Sequence, residues 1–238
     1  MEGLLTEEYK SFLANNFNTV RSAMRSAGRE DAVLCAATKT VPAEAINYAV
    51  DELGLRVIGE NRVQELLSKY DSLHKDGIEI RFIGRLQKNK VKYIADKVCM
   101  IESVDSFELA EVINRCCAKI GKVMDVLIEV NIGGEESKGG IPKENVRELI
   151  EKIGELGNVR VAGMMVIPPA CDEEECKKFF NETFRIFIDI FENKLHNNKR
   201  YILSMGMSDS YKTALACGST EIRVGSALFG KRTVNTKL

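Results

Sequence analysis

The chain alternates short apolar runs with longer stretches in which apolar residues recur every three or four positions. The apolar runs are rich in Val and Ile and do not alternate strictly with polar residues, which is typical of strands buried on both faces of a parallel sheet. They span residues 32–40, 55–61, 80–86, 99–105, 126–131, 159–167, 201–206 and 221–230. The stretches between them predict amphipathic helices.

Several helices have recognisable signals. An opening helix is predicted over about residues 7–26, before any strand. Pro42 and Pro142 each stand at a helix start, where the missing N–H costs little. A long helix is predicted from about residue 172 to 195. It carries an aromatic and apolar stripe, which we interpret as core packing rather than a cofactor site, formed by Phe180, Phe184, Phe187, Ile188 and Phe191.

Strands that alternate with helices over roughly 200 residues predict a single (β/α)8 barrel of the TIM type. A doubly wound open sheet is the alternative, because periodicity does not separate the two folds. Neither a composition shift nor a Ser/Pro-rich linker marks a boundary, so we expect one domain over residues 1–238 with a core from about 7 to 232. The opening helix is expected to cover the bottom or the side of the barrel.

Composition narrows the function classes. The 34 basic and 35 acidic residues give a net charge of −1, so we expect no general attraction to nucleic acid or to an anionic membrane. The sequence has neither a spanning apolar run of about 18 residues nor a secretory signal. The seven cysteines lack the spacing of a zinc site and are expected to be reduced thiols in the cytoplasm. We expect a monomer without a metal.

The first strand ends in a residue with chemical potential. Barrel proteins gather their functional residues at the carboxyl ends of the strands, and Lys39 stands at such an end. If Lys39 were buried there without a partner, desolvation would favour its neutral amine, which attacks carbonyl groups. Lys39 is therefore a candidate for an imine linkage. The alternative is a lysine whose side chain extends into solvent at the strand end.

The loops after the seventh and eighth strands predict a phosphate site, because barrels frequently bind phosphate there. Gly206 and Gly225 would let backbone N–H groups approach an anion closely. Hydroxyl donors are expected from Ser204, Ser208 and Ser226. Asp209 is expected to cap the following helix and to direct its N-terminus toward the site.

A reactive lysine beside a phosphate site indicates a phosphorylated aldehyde, either a sugar phosphate in an aldolase or pyridoxal phosphate. Arg223 lies in the last strand and needs an acceptor inside the barrel. An unprotonated pyridine nitrogen would serve, since Arg donates without giving up its proton. A carboxylate such as Glu221 or Glu129 would serve equally well, and the pattern leaves both readings open.

Longer segments carry a family resemblance. They read TKTVP (38–42), GENRVQE (59–65), RFIGRLQKNK (81–90), VNIGGEESKGGI (130–141), GMMVIP (163–168), LSMGMSDS (203–210) and GSTEIRVGSALFG (218–230). From about residue 7 to 232 the chain resembles the pyridoxal phosphate homeostasis proteins, a small family related to the barrel domain of alanine racemases. The resemblance implies a β/α barrel that carries pyridoxal phosphate as an imine on the lysine of the first strand, which is Lys39.

The resemblance also implies roles for other residues. Arg223 matches the family Arg near the pyridine nitrogen, and Asn61 matches the family Asn near the cofactor. Gly225, Ser226 and the turn at 204–206 match the family's phosphate contacts. Some positions depart from the family pattern. Arg81 stands where many members have His, and Ser210 and Lys212 replace residues that are often acidic.

The function implied is carriage of pyridoxal phosphate and control of its free level, with delivery to apo-enzymes as a hypothesis and without evident turnover. An enzyme is the alternative, either a racemase or a decarboxylase of amino acids with Lys39 as its base. A racemase needs a second base on the opposite cofactor face, which alanine racemases take from an additional domain. A Schiff-base aldolase is a further alternative. The basic run at residues 85–92 is either a solvated helix face or a docking patch or second phosphate site.

Overall fold

The computed structural model describes residues 5–135, 139–195 and 201–230. For residues 192–195 it describes only the backbone. Eight parallel strands form a closed barrel in the order of the chain. They are β1 Val33–Ala37, β2 Val57–Glu60, β3 Glu79–Phe82, β4 Met100–Val104, β5 Met124–Val130, β6 Val159–Val166, β7 Ile202–Ser204 and β8 Glu221–Val224. The predicted barrel is confirmed and the open sheet is excluded, because β1 pairs with both β2 and β8.

Helices follow the strands around the outside of the barrel. They are α1 Glu7–Ser26, α2 Ala43–Asp51, α3 Val63–Lys69, α4 Val91–Ile94, α5 Phe107–Ala118, α6 Val146–Gly154, α7 Glu173–Leu195, α8 Tyr211–Ala216 and α9 Ser226–Phe229. Short 3₁₀ turns span Tyr70–Ser72, Lys88–Lys90 and Lys143–Asn145. The predicted proline starts are confirmed: Pro42 is the N-cap of α2, and Pro142 precedes the 3₁₀ turn that leads into α6.

The opening helix α1 lies on the side of the barrel, as predicted. The Thr6 hydroxyl caps it by accepting a hydrogen bond from the Tyr9 N–H at 3.2 Å. Its inner face packs against the end of the barrel sequence, where the ring of Phe17 meets that of Phe229 edge-on at 6.0 Å between centroids. Arg21 donates to the carbonyl of Leu53 at the other end of the helix. Thus α1 joins the first and last βα units.

Strand side chains divide between two apolar regions. Those that point outward form the layer under the helices, where Phe180, Phe187 and Phe191 of α7 are buried, so the aromatic stripe of α7 is core packing as predicted. Those that point inward form two smaller clusters, one around Cys35 and Ile83 and one around Leu127. Within the described part of the chain, none of the helices has the length and apolar content to cross a membrane. The predicted core end at residue 232 lies outside the described residues.

Candidate functional site

Strand register brings the predicted site residues together at one edge. Ala37, the last residue of β1, lies opposite Gly59 of β2, and Ala36 lies opposite Val224 of β8. Lys39 follows β1 by two residues, Asn61 directly follows β2, and Gly225 directly follows β8, so the ends of these adjacent strands bring all three to the same edge of the barrel. Gly225 packs closely there, since a Cβ atom on it would lie 3.1 Å from the Ala37 carbonyl oxygen.

Lys39 itself lies in an exposed turn at the carboxyl end of β1. The buried position considered for Lys39 from the sequence is therefore wrong, because β1 ends at Ala37 and the chain turns outward. Thr40 has φ +64°, and no other non-glycine residue in the described ranges has a positive φ. This conformation is strained for a β-branched residue and is common at functional sites. Thr40 is held by a hydrogen bond from its N–H to the Glu65 carboxylate.

A second lysine, Lys69, supports this turn from the inside. Its buried ammonium donates to the Thr38 carbonyl at 2.8 Å and pairs with Glu60 at 2.8 Å. The Thr38 hydroxyl also donates to Glu60. Burial raises the pKa of Glu60, and the neighbouring Lys69 opposes that shift. Sequence reasoning missed Lys69, because its distance from the turn in the chain hides its role.

Asn61 follows β2 and presents an unpaired polar atom. Its Oδ1 atom is buried and has no hydrogen-bond partner. Gly84 lies directly against the Asn61 backbone, and a Cβ atom on Gly84 would collide with it. A buried polar atom without a partner costs free energy in the folded state. Asn61 Oδ1 is therefore an acceptor without a partner at the carboxyl edge of the barrel.

A cavity of about 750 Å³ opens beside Asn61, between the carboxyl ends of β2, β3 and β4. Four cationic residues line it, and within the described ranges none of them forms an ion pair: Arg62, Arg85, Lys88 and Lys90. Asp105 and Glu108 line it too, so its net charge is positive. Arg85, Lys88 and Lys90 of the basic run line this cavity. Their positive charge would attract anionic groups, which favours a binding role for the run over a merely solvated helix face.

A second cavity of about 400 Å³ lies at the opposite end of the barrel, lined by residues such as Arg21, Leu55 and Arg56. None of the predicted site residues borders this cavity. It opens beside the amino ends of β1 and β2, whereas barrel sites form at the carboxyl ends. We therefore place the candidate site at the cavity beside Asn61.

Arg223 points into the barrel interior. Its Nη1 donates to the Ser204 hydroxyl at 2.7 Å, and its Nη2 donates to the Val166 carbonyl at 2.8 Å. These bonds use two of the five guanidinium N–H donors. Arg223 thus has donors left for a further acceptor, while Glu221 is occupied by another residue.

That residue is Arg81, which pairs with the Glu221 carboxylate inside the barrel. Arg81 also contacts Glu79 at 2.6 Å and Glu102 at 3.7 Å. Burial lowers the pKa of Arg81, but the carboxylates of Glu221 and Glu102 outweigh it and raise that pKa. Burial, together with the charge of Glu221, holds the pKa of Glu102 well above its usual range. The departure from the family pattern at Arg81 therefore has a structural role in an ion-pair network.

Ser204 belongs to the same network. Its hydroxyl lies 2.9 Å from Glu102 and 2.7 Å from Glu221, and it accepts from Arg223. The Ser204 hydroxyl is thus engaged within this network, and its predicted use as a phosphate donor stays a prediction. Cys35, Glu102 and Glu221 offer three ligand atoms within 4.8 Å of one another, but Arg81 already supplies positive charge there.

The two phosphate-type loops are tied together by Ser208. Its hydroxyl accepts from the N–H groups of Gly225 at 3.2 Å and Ala227 at 3.1 Å. Gly206 is buried with φ +94°, and its Cβ would lie 2.5 Å from the Ala214 side chain. The N–H groups of Gly206 and Ser226 donate to no acceptor among the described residues. These two amides are therefore candidates for binding an anion.

Asp209 does not have its predicted role. The N-cap of α8 is Ser210, and Asp209 is exposed one residue earlier. The Ser210 hydroxyl instead accepts from the Met207 N–H at 3.2 Å, which closes the turn. Lys212, the other departure from the family pattern, is exposed on α8.

Glu129 of β5 lies near the same edge. Burial and the charge of Asp105 raise the pKa of Glu129 to about 7, and Arg223 and Arg85 oppose the shift. In the sequence Glu129 stood out only as a partner for Arg223. Glu129 interacts with Arg223 and Arg85, which lie far from it in the chain. The sequence therefore does not reveal this interaction.

Comparisons with known proteins place the chain in a family. Residues 10–233 match the family model described as alanine racemase, N-terminal domain. A pyridoxal phosphate homeostasis protein of Aquifex aeolicus is 44% identical over 222 residues, which cover 92% of this chain and 96% of that protein. The chain belongs to the pyridoxal phosphate homeostasis protein family.

Two further comparisons support this assignment. The pyridoxal phosphate homeostasis protein of Escherichia coli K12 is 35% identical over 234 residues, covering 94% of this chain and 99% of that one. The solved structure of PipY of Synechococcus elongatus with PLP bound superposes with a TM-score of 0.80 at 30% identity, covering 92% of this chain and all of the other. The family predicted from the sequence is thus confirmed.

Proposed function

We propose that this protein binds pyridoxal phosphate at the carboxyl end of the barrel, linked covalently to Lys39, and holds it as an intracellular reservoir without evident turnover. The observation that carries the proposal is the position of Lys39, Asn61 and Gly225–Ser226 just after the adjacent strands β1, β2 and β8, at the carboxyl edge of the barrel. Relatives at 33–44% identity are named pyridoxal phosphate homeostasis proteins, and PipY was solved with PLP bound.

The residues present fit this cofactor. The unpaired N–H groups of Gly206 and Ser226 would bind its phosphate, on loops that Ser208 holds together. The buried Oδ1 of Asn61 gains a partner when a ligand hydroxyl or amine comes near. When bound, pyridoxal phosphate supplies an aldehyde that links reversibly to amines.

The chemistry of Arg223 favours a holder over a catalyst. An Arg beside the pyridine nitrogen donates a hydrogen bond and does not protonate that nitrogen. An unprotonated ring withdraws electrons weakly, so proton loss from a bound amino acid gains little assistance. The position of Arg223 therefore supports binding and release over turnover.

A spectroscopic titration tests the covalent site. Adding pyridoxal phosphate to the apo-protein should produce a visible absorption band in the wild type and in Lys88→Ala, which removes another exposed lysine of the same rim. Lys39→Ala should bind without that band, and its fold should be unchanged in circular dichroism. A folded Lys39→Ala protein with the wild-type band would refute the assignment of Lys39.

Delivery to apo-enzymes is tested by transfer kinetics. An apo-enzyme that depends on pyridoxal phosphate should regain activity faster from the loaded protein than from free cofactor at the same total concentration. Equal or slower recovery for every apo-enzyme tried would remove delivery and leave a reservoir. We also propose that the protein is a cytoplasmic monomer without nucleic-acid partners. Sedimentation of the loaded protein would check the monomeric state.

An enzyme remains the second candidate, because the basic cavity of about 750 Å³ beside Asn61 has room for an amino acid. In that case Lys39 would act as the base of a racemase or decarboxylase. Incubating the loaded protein with single enantiomers of amino acids separates the two functions. Loss of optical activity or release of CO₂ at a rate above that of free cofactor would establish the enzyme. The aldolase alternative receives no support from the named relatives.

A further inference from the structure

Two thiols meet at the start of α7, away from the residues assigned to the cofactor. The Sγ atoms of Cys171 and Cys176 are 2.7 Å apart, against about 2.05 Å in a disulfide. Both cysteines are in the free thiol form. No other cysteine pair in the described residues has its Sγ atoms in hydrogen-bonding contact.

The sequence around the helix start explains this contact. The Asp172 carboxylate accepts from the Glu175 N–H at 2.9 Å, which makes Asp172 the N-cap of α7. Cys171 is then the residue before the cap, and Cys176 is the fourth helical residue. These are the two positions that pack together in a hydrophobic staple, and cysteine behaves as a small apolar residue. The geometry of the helix start therefore holds the two thiols together.

The two thiols differ in access. Cys176 is buried and Cys171 is partly exposed, so an oxidant reaches Cys171 first. Burial, the hydrogen bond with Cys171 and the nearby acidic groups together raise the pKa of Cys176 to about 12. Cys176 is thus shielded from an oxidant in solution, and its contact with Cys171 places its sulfur where it can attack an oxidised Cys171.

We propose that Cys171 and Cys176 form a reversible dithiol–disulfide site that peroxides oxidise. The Cys171 thiolate attacks one oxygen of hydrogen peroxide, and the O–O bond breaks. Cys171 becomes a sulfenic acid, and the other oxygen departs as water after taking up a proton. The Cys176 sulfur then attacks the sulfenic sulfur, the S–O bond breaks, and a second water leaves. Two thiols lose two electrons and two protons, and one peroxide is reduced to two waters.

The position of the site links it to the edge where the cofactor is proposed to bind. The loop before Cys171 follows β6, whose last residue, Val166, accepts a hydrogen bond from Arg223. Pro169 of this loop lies against Gly133, where an added Cβ would collide with the proline ring. A disulfide at the end of this loop would fix its path relative to α7. The proposal itself concerns only the thiols and does not depend on cofactor binding.

Peptide mapping of the full chain tests the site. The protein is reduced, freed of reductant, treated with hydrogen peroxide, and alkylated before digestion. The expected main product is one peptide that contains both cysteines, lacks two hydrogens and carries no alkyl group. A dithiol reductant should restore alkylation of both. Cys99, which is exposed, serves as the internal reference for unselective oxidation.

Single variants distinguish the site from a simple packing contact. Cys171→Ser should abolish the disulfide, whereas Cys176→Ser should leave a Cys171 sulfenic acid that dimedone traps. Cys99→Ser is the matched control and should oxidise like the wild type. Recovery of both thiols by alkylation, under conditions that oxidise Cys99, would show that the pair is only a hydrophobic staple. A disulfide between other cysteines would also overturn the proposal.

Discussion

The charged residues inside the barrel and those at its carboxyl-end rim differ in how they are paired. Inside, Arg81, Glu221 and Ser204 are almost fully buried and satisfy one another. At the rim, the cations around the cavity have no ion-pair partners in the described part of the chain, and Asn61 has an orphaned buried oxygen. Both regions are polar, but the inner one is largely paired without a ligand, with the Glu102 Oε1 atom as an exception.

This difference separates stability from binding. A charge that is buried with its partner stabilises one arrangement of strands, and losing the partner is costly. A buried polar group without a partner slightly lowers the free energy of unfolding of the apo-protein. A ligand that supplies the partner raises that free energy when it binds. We therefore expect interior substitutions to change folding and rim substitutions to change ligand binding.

The largest effect is expected from Glu221→Gln. This change leaves the Arg81 charge buried without its closest partner, and the free energy of unfolding should fall by about 3–5 kcal/mol in urea titrations. Asp125→Asn is the matched control, since it breaks an ion pair with the exposed Arg160 and should cost no more than about 1 kcal/mol. Equal losses in the two variants would contradict the special role of the interior network.

The next effect depends on pH and tests Glu129, which lies between the two regions. Its pKa is about 7 in the folded protein against the ordinary 4.5, so the folded state holds the proton more tightly. The stability contributed by protonated Glu129 is full below pH 4.5 and is lost as the pH rises through 7. The difference in free energy of unfolding between the wild type and Glu129→Gln should shift by up to about 3 kcal/mol between pH 4.5 and 8.

Urea titrations of the apo-protein at both pH values measure this shift. Glu129→Gln removes the titrating group and keeps the side-chain size, so the wild type should lose stability relative to the variant at high pH. A difference that stays constant with pH would show that Glu129 ionises normally in the folded protein.

A moderate effect on stability is expected at Gly84, which packs against the backbone of Asn61 at the rim. Gly84→Ala should force the Asn61 backbone away and lower the free energy of unfolding by about 1–3 kcal/mol, as overpacking does. It should also weaken cofactor binding. Gly157→Ala meets no atom within 4 Å and is the control, with an expected change in stability within about 0.5 kcal/mol. Thermal unfolding with and without pyridoxal phosphate compares the two.

The smallest effect on folding is expected from Asn61→Ala. Because the Asn61 oxygen has no partner, its removal should leave the free energy of unfolding of the apo-protein unchanged or raise it by up to about 1 kcal/mol. Affinity for pyridoxal phosphate should fall at the same time, as titration calorimetry would show. A variant that loses stability but binds normally would place Asn61 with the interior residues.

Much of the fold is predictable because its signals are local. Each buried strand is a run of Val, Ile and other apolar residues, and each helix repeats apolar residues at its own period. Pro42, Pro142 and the stripe on α7 mark elements within a few residues of themselves. Lys39 and the glycines of the last two loops are recognisable because strand ends carry function in barrels.

The remainder depends on contacts between distant parts of the chain. Arg81 and Glu221 are 140 residues apart, and nothing near either residue predicts that they pair. The same holds for Lys69 beneath the Lys39 turn. The sequence predicts that Ser204 faces the phosphate. Side chains of β7 alternate between the inside and the outside of the barrel, so a shift of one residue along the strand reverses the direction of the Ser204 side chain. Ser210 occupies the N-cap position in place of Asp209, without a side-chain capping hydrogen bond, because α8 begins one residue later.

The central claim is that Lys39 carries pyridoxal phosphate, and reduction followed by peptide mapping tests it most directly. The loaded protein is treated with borohydride, digested, and searched for the peptide that contains the pyridoxyl group. The account predicts a stable adduct on Lys39 and loss of the visible absorption band. An adduct on Lys69 or on a rim lysine such as Lys88, with Lys39 unmodified, would contradict it.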